Sequence, residues 1–281
     1  MFAGIIPNAD KININSAVSA VVDKLNSLGI KNAVCENNHF EKCVSFDTCS
    51  ESEIYKSCDV IIAVGGDGTI IHTCKKAAMY NKPVLGVNSG RIGYMAGLEV
   101  DELDMLSKLV TGDYSVEKRM MIKATVSSDT NDVHYCLNDI VISKGALDYA
   151  VDISLCSNGH SFMSFRADGI IAATPTGSTA YAMSAGGPVT DPAIECMILV
   201  PICPITLYSR GIVISADSKI EAHIKTRNGN PTFINFDGED GIKLTNEDTV
   251  TFTKANDIVT RLIRIKHDSF CDVLRNKISS I

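Results

Sequence analysis

One carboxylate, Asp67, stands among glycines in a stretch that reads DVIIAVGGDGTIIHT from Asp59 to Thr73. Val60 to Val64 is a short apolar run rich in β-branched residues, which predicts a strand buried on both faces. The glycines predict a tight turn, and Thr69 is a residue type that caps a following helix. This arrangement places backbone N–H groups and a helix N-terminus at the carboxyl edge of a parallel sheet, where a phosphate binds. An acid beside such a turn is suited to taking a proton from a hydroxyl group.

The glycine turn matches neither of the two commonest nucleotide motifs. The position for a third small residue in G-x-G-x-x-G is occupied by Ile71, and the chain contains no Gly-Lys pair, so a P-loop is excluded. An alternative remains in which these glycines only make a tight turn between a strand and a helix.

A second group of candidate residues lies in the run TPTGSTAYAMSAGG, from Thr174 to Gly187. A strand is expected to end at its first two residues, and a short helix to run from Thr179 to Ala185. Hydroxyl groups and free N–H groups at a helix start can hold ribose or phosphate oxygens. The aromatic ring of Tyr181 offers a face for a nucleotide base.

Together these motifs reduce the number of protein families that the chain could resemble. GGDGT is shared by NAD kinases, diacylglycerol-type lipid kinases and phosphofructokinases, but the second run resembles the NAD kinase family, of bacterial type. The order of motifs is also similar to that family: GGDGT, GVNSGRIGY, Asn138-Asp139, Asp168-Gly169, TPTGSTAY and a late Asp237-Gly238. The similarity covers most of residues 59–240 and includes the terminal segment 274–277.

The resemblance implies transfer of the γ-phosphoryl group of ATP, or of polyphosphate, to the 2′-hydroxyl of the adenosine ribose of NAD, giving NADP. It implies that Asp67 is the general base, although a role for Asp67 as a metal contact stays open. Mg²⁺ is expected to arrive with ATP and to neutralise charge on the transferred group. No metal ligand from the protein is identified.

The resemblance also implies a set of nucleotide-binding residues, carried over position by position: Gly66, Gly68, His72, Asn88, Asn138, Asp139, Arg166, Asp168, Thr179, Ala180, Tyr181, Ala182, Met183 and Ser184. Asp168 matches an acidic residue that binds the dinucleotide in the family, often across a subunit interface. The chain departs from the family at His72, where arginine is common, and at Glu239, where glutamine is common. Arg91 and Lys144 are the candidates for a cationic group near the phosphates.

The spacing of apolar runs predicts the elements that position these residues. Strands alternate with helices over residues 1–98, which predicts a doubly wound, mostly parallel α/β nucleotide-binding domain. The second glycine loop follows the next strand, so it should lie beside the first. Many short runs over 99–265 predict an all-β NAD-binding domain. Residues 266–281 predict a helix that packs back on the first domain.

Composition limits the remaining possibilities. The 281 residues carry a formal net charge of −7, which disfavours nucleic acid as a partner. Ten cysteines without a C-x-x-C pair indicate reduced thiols and a cytoplasmic protein. No apolar run is long enough to cross a membrane. The family resemblance implies a homodimer or homotetramer.

Two other functions are weighed against an NAD kinase. A diacylglycerol-type lipid kinase shares GGDGT, but TPTGSTAY and SAGGP argue against it. A non-catalytic dinucleotide-binding regulator would keep the loops, but the intact Asp67 argues against a protein that has lost its chemistry.

Overall fold

The computed structural model describes residues 1–8, 14–36, 47–90, 93–145, 149–206, 209–226, 230–239 and 241–278. The chain divides into two compact units. The first unit is Met1–Lys118 together with Ile258–Ile281, and the second unit is Arg119–Asp257. The first unit therefore continues past residue 98 and includes the returning C-terminal segment.

One sheet of eight strands forms the centre of the first unit. Its strands, numbered along the whole chain, are β1 (Phe2–Pro7), β2 (Lys31–Cys35), β3 (Thr48–Cys49), β4 (Val60–Gly65), β5 (Pro83–Asn88), β6 (Leu98–Glu99), β7 (Ser115–Arg119) and β20 (Thr260–Arg264). The order across the sheet is β3-β2-β1-β4-β5-β20-β7, and β6 also pairs with β5. Strands β1, β2, β4 and β5 are parallel, which confirms the predicted α/β class.

The burial of strand β4 is typical of a parallel sheet. All six of its residues are buried, as expected for a strand covered on both faces. Strand β20, by contrast, was not predicted. It comes from the end of the chain and pairs in parallel with β5, with Arg261 opposite Pro83 and Leu262 opposite Val84.

Helices accompany this sheet: α1 (Ile14–Ser27), α2 (Glu51–Ser57), α3 (Asp67–Met79), a 3₁₀ helix (Val100–Leu106), α4 (Ser107–Thr111) and α6 (Phe270–Ile278). Helix α1 buries Val18, Val21 and Leu25 at helical spacing, and Gly29 follows with a φ of 68°. The segment between Asp101 and Val110 is 3₁₀ in its first half and α-helical in its second. Packing of α6 on the first domain stays a prediction.

The second unit contains two six-stranded antiparallel sheets. One has the order β15 (Ile212–Ser215), β14 (Cys196–Ile202), β13 (Gly169–Ala173), β10 (Asp139–Lys144), β17 (Thr232–Phe236), β18 (Ile242–Leu244). The other has the order β12 (His160–Ala167), β11 (Val151–Ser157), β16 (Ile220–Lys225), β19 (Thr249–Lys254), β8 (Ile122–Val126), β9 (Asp129–Cys136). Inward-facing side chains of both sheets form one core, which confirms the predicted all-β class.

Two connections between strands shape the second unit. Asn158 and Gly159 form the hairpin turn between β11 and β12, and both have positive φ. The apolar run from His134 to Ser143 is not one strand. It is two strands in different sheets, because the chain leaves β9 and enters β10 through a tight turn at Leu137 and Asn138.

Two predictions about the whole chain can be compared with its described part. Within these residues, no helix combines the length and the apolar character that a membrane crossing requires. Nine of the ten cysteines lie there, and all nine are free thiols.

Candidate active site

The Asp67 carboxylate lies at the start of α3, directly after β4. Gly66 is the N-cap and Asp67 is the first helical residue, so the predicted helix start at Thr69 is wrong. The physical reason is a close contact: a Cβ on Gly65 would lie 2.6 Å from the Thr69 hydroxyl oxygen, so this side chain packs against the turn. A carboxylate in the first turn is favourable beside the positive end of the helix dipole.

The loop after β5 holds this carboxylate in place. The backbone N–H of Tyr94 donates to Asp67 Oδ2 at 2.8 Å, and that of Met95 donates to Oδ1 at 3.2 Å. At Gly93, a Cβ would lie 1.8 Å from Asp67 Oδ1, so any side chain there would collide with the acid. The two glycine loops therefore lie side by side, as predicted.

Asn88, at the end of β5, shapes the same loop. Its side-chain amide donates to Glu99 Oε2 at 2.7 Å and to the Gly90 carbonyl at 3.1 Å, and its oxygen accepts the Gly90 N–H. Burial raises the pKa of the Glu99 carboxyl, and the bond from Asn88 opposes that shift. These contacts make Asn88 a support of the loop within this unit.

The other candidates from the first unit differ in exposure. Gly66 and Asp67 are half-buried, whereas Gly68 and His72 are exposed on the first turns of α3. Arg91, one of the two candidate cations, lies outside the described residues.

In the second unit, another carboxylate organises the motifs. Asp237 accepts the backbone N–H groups of Leu137, Asn138 and Asp139 at 2.8, 2.7 and 3.0 Å. Its own N–H donates to the Asp139 carbonyl at 2.9 Å, and its φ is 52°. The late Asp-Gly motif therefore fixes the Asn-Asp turn. Sequence reasoning noted this motif but did not assign Asp237 a role.

The threonine-rich loop closes on the same turn. The Thr174 N–H donates to the Asn138 carbonyl at 2.8 Å, and its hydroxyl donates to the Leu137 carbonyl at 2.5 Å. A Cβ at Gly177 would lie 2.1 Å from the Asn138 carbonyl oxygen, so only glycine fits. Arg119, which sequence reasoning missed, is buried and donates to the Thr176 hydroxyl at 3.4 Å.

Asp139 joins this cluster to helix α5 (Tyr181–Ser184). Its side chain is nearly inaccessible, with 5% exposure, and it accepts the backbone N–H of Tyr181. Burial and then the nearby Asp237 raise the pKa of Asp139 to about 7, and the Tyr181 N–H opposes that shift. Asp139 thus supports the helix start from inside the unit.

Helix α5 and the 3₁₀ turn before it (Thr176–Thr179) present several candidates to solvent. Tyr181 is 46% exposed, Met183 and Ser184 are exposed, and Ala180 is half-buried, as is Thr179. Ala182 differs, because its side chain is buried against β13 and β14. A contact from residue 182 to a ligand would therefore come from its backbone.

Arg166 and Asp168 lie away from this cluster within the same unit. In the β10–β13 pair, Ser143 lies opposite Gly169 and Asp139 opposite Ala173, a separation of four residues or about 13 Å. Asp168 forms a salt bridge of 2.6 Å with Lys144, so the second candidate cation is paired with this carboxylate. Arg166 pairs with Asp152 through two bonds of 2.7 and 3.0 Å.

Two further expectations concern the surface and metals. Glu239 is exposed after the late Asp-Gly turn, and its carbonyl accepts the side-chain amide of Asn235 at 3.0 Å. In the described part of the chain, no three His, Cys, Asp or Glu side chains are grouped so that they could hold a metal ion.

Comparison with known proteins gives the family. The model of the ATP-NAD kinase N-terminal domain matches residues 4–114, and that of the ATP-NAD kinase C-terminal domain matches residues 137–265. An NAD kinase of Caldanaerobacter subterraneus subsp. tengcongensis is 38% identical over 98% of each chain. The chain belongs to the NAD kinase family. The predictions of the family and of a phosphotransferase are confirmed.

Other relatives agree with this membership. An NAD kinase of Thermoanaerobacter sp. (strain X514) is 42% identical over 81% of each chain. The crystal structure of an NAD kinase from Archaeoglobus fulgidus in complex with ATP is 26% identical, with a TM-score of 0.77 over the whole of both chains. Yeast NADH kinase complexed with NADH has a TM-score of 0.87 over 99% of this chain and 87% of its own. At 20% identity, it supports the fold alone.

The close approach of Gly93 to Asp67 predicts a sensitive position. Gly93→Ala should lower the turnover of NAD to NADP by about 10-fold to 100-fold, because the new methyl group displaces the acid or its loop. Steady-state rates with ATP and Mg²⁺ measure this. Gly211→Ala is the control, since its Cβ would meet nothing nearer than 3.5 Å. Equal rates for the two variants would contradict the prediction.

The contacts of Asp237 predict a defect in NAD binding. Asp237→Asn should raise the KM for NAD about tenfold, since a hydrogen bond to a charged group contributes about 1.5 kcal/mol or more. The matched control is Asp248→Asn in the same unit, where a buried carboxylate accepts the Thr245 N–H at 2.7 Å. Both variants should lose stability. An equal KM for NAD in the two variants would show that Asp237 does not contribute to NAD binding.

Proposed function

We propose that this chain transfers the γ-phosphoryl group of ATP to the 2′-hydroxyl of the adenosine ribose of NAD, giving NADP and ADP. The observation that carries this proposal is the Asp67 carboxylate, which two backbone N–H groups fix at the start of α3. In the step, Asp67 accepts the proton of the 2′-hydroxyl as that oxygen bonds to phosphorus. The bond from phosphorus to the β-phosphate oxygen breaks, and ADP leaves with its electron pair.

The donor is proposed to be ATP with Mg²⁺. The relative from Archaeoglobus fulgidus, which matches the whole chain, is described in complex with ATP. Mg²⁺ enters as part of the substrate and neutralises charge on the phosphoryl group. The glycine turn at Gly65 and Gly66 supports phosphate binding, because it precedes a helix N-terminus and brings backbone N–H groups close to a ligand.

We assign the dinucleotide to the motif cluster of the second unit. Tyr181 has an exposed ring that can stack on a base. Asn138 is half-buried on a turn that Asp237 and Thr174 hold rigidly. A site on a supported turn loses little conformational freedom when the ligand binds.

Arg166 and Asp168 have a different proposed role. Asp168 lies beside Lys144, six residues or about 20 Å along the strands from Asn138. The ion pair of Arg166 with Asp152 is part-exposed on both sides and therefore opens at low cost, whereas the Lys144 side chain that pairs with Asp168 is only 13% exposed. We propose that Arg166 and Asp168 contact dinucleotide in a homodimer or homotetramer, in the manner that the family resemblance implies.

The base role is tested with Asp67→Asn. This variant should fold and bind NAD, yet form NADP about 100-fold to 10,000-fold more slowly, because an amide cannot take up the proton. The control is Asp104→Asn in the same unit, where an exposed carboxylate pairs with Lys24 and a small effect is expected. Turnover by Asp67→Asn close to that of the unchanged chain would exclude Asp67 as the base.

The acceptor is tested in the same assay. The unchanged chain should phosphorylate NAD and leave diacylglycerol unchanged when each is supplied with ATP and Mg²⁺. Phosphorylation of the lipid in preference to NAD would replace the proposal with the lipid-kinase alternative. Binding of NAD with no product from either acceptor would favour a non-catalytic regulator.

A further inference from the structure

Arg264 is the last residue of β20 and contacts the loop that holds Asp67. One terminal nitrogen donates to the Ala96 carbonyl at 3.1 Å, and the other donates to the Tyr94 carbonyl at 3.4 Å. Its Nε donates to Glu117 Oε2 at 3.2 Å. The side chain is only 15% exposed. The guanidinium group therefore joins two loop carbonyls to a carboxylate on β7.

One residue of this loop, Tyr94, contacts both the Asp67 carboxylate and the Arg264 guanidinium group. The Tyr94 N–H donates to Asp67, and the Tyr94 carbonyl accepts from Arg264. One residue, Tyr94, thus separates the guanidinium group from the acid. The Tyr94 carbonyl and the Met95 N–H belong to one planar peptide unit, so movement of that carbonyl would turn the Met95 N–H and, through the Tyr94 Cα, shift the Tyr94 N–H that Asp67 also accepts.

Packing leaves this loop little other freedom. A Cβ at Gly97 would lie 2.9 Å from a Leu85 methyl carbon and 3.2 Å from the Ile263 carbonyl oxygen. A Cβ at Gly86 would lie 3.1 Å from the Cα of Ala96. The loop therefore runs close against β5 and β20, and Arg264 holds the two carbonyls at its centre.

We propose that Arg264 is a positioning residue for Asp67, acting through the Tyr94–Ala96 segment. The proposal rests on the proposed function, in which Asp67 is the base. Arginine is suited to this role because its planar group offers several donors in a fixed geometry, whereas lysine offers one compact ammonium group. A base must be held within a fraction of an ångström of its productive position for full activity.

The test compares Arg264→Met with Arg261→Met. Arg261 lies on the same strand and contacts the side chain of Asn81 instead of the loop. Arg264→Met should lower kcat about 10-fold to 100-fold and leave the KM values for NAD and ATP within about twofold. Arg264→Lys should give an intermediate kcat, and Arg261→Met should match the unchanged chain. A kcat for Arg264→Met within about twofold of the unchanged chain would overturn the proposal.

A second measurement separates positioning from general stability. In the Asp67→Asn background, Arg264→Met should cause no further loss of the residual rate, since both changes remove the same contribution. A further loss equal to that seen with Asp67 intact would overturn the proposal. If Arg264→Met does not fold, Arg264→Lys replaces it in both comparisons, that with the unchanged chain and that in the Asp67→Asn background.

Hydrogen exchange tests the inference independently of the reaction. The Tyr94 and Met95 amides should exchange faster in Arg264→Met, while amides in the distant helix α1 keep their protection. Unchanged exchange at both loop amides would overturn the positioning role even if turnover fell. Faster exchange, together with full turnover by Asp67→Asn, would instead leave Arg264 as a support of the loop and exclude Asp67 as the base.

Discussion

The candidate site of the first unit depends on two hydrogen bonds, from the backbone N–H groups of Tyr94 and Met95 to the Asp67 carboxylate. Each bond to a charged acceptor contributes about 1.5–3 kcal/mol, and together they fix both oxygens of the acid. The turn after β4 brings Asp67 to the sheet edge, and the absence of a side chain at Gly93 lets the loop approach. The turn, the two hydrogen bonds and the glycine at position 93 together hold the Asp67 carboxylate in one position.

The second unit uses the same physical device. Asp237 accepts three backbone N–H groups from the turn that carries Asn138, and Asp139 accepts the Tyr181 N–H at the start of α5. A carboxylate that satisfies several backbone donors fixes a loop more tightly than packing of small side chains. Both units therefore use buried or half-buried acids to hold irregular backbone in place, which explains why the motifs are rich in Asp and Gly.

The local sequence pattern was sufficient to predict much of the fold and of the candidate site. The apolar run at Val60 predicted a buried strand, and the glycines that follow it and the next strand predicted neighbouring loops. Contacts between distant residues were not predictable, because periodicity reports only which face of an element is buried. Strand β20, the role of Asp237 and the link from Arg264 to the Asp67 loop all depend on pairings across more than 90 residues. The turn at Leu137 and Asn138 was not predictable for the same reason, since Asp237 holds it.

Chemical rescue of Asp67→Ala tests the central claim most directly. Removing the carboxylate leaves space at the start of α3, and a small external acid such as formate can then serve as the base. The account predicts that NADP formation by this variant rises with formate concentration and does not respond to chloride at the same ionic strength. Turnover near that of the unchanged chain, without formate, would contradict it.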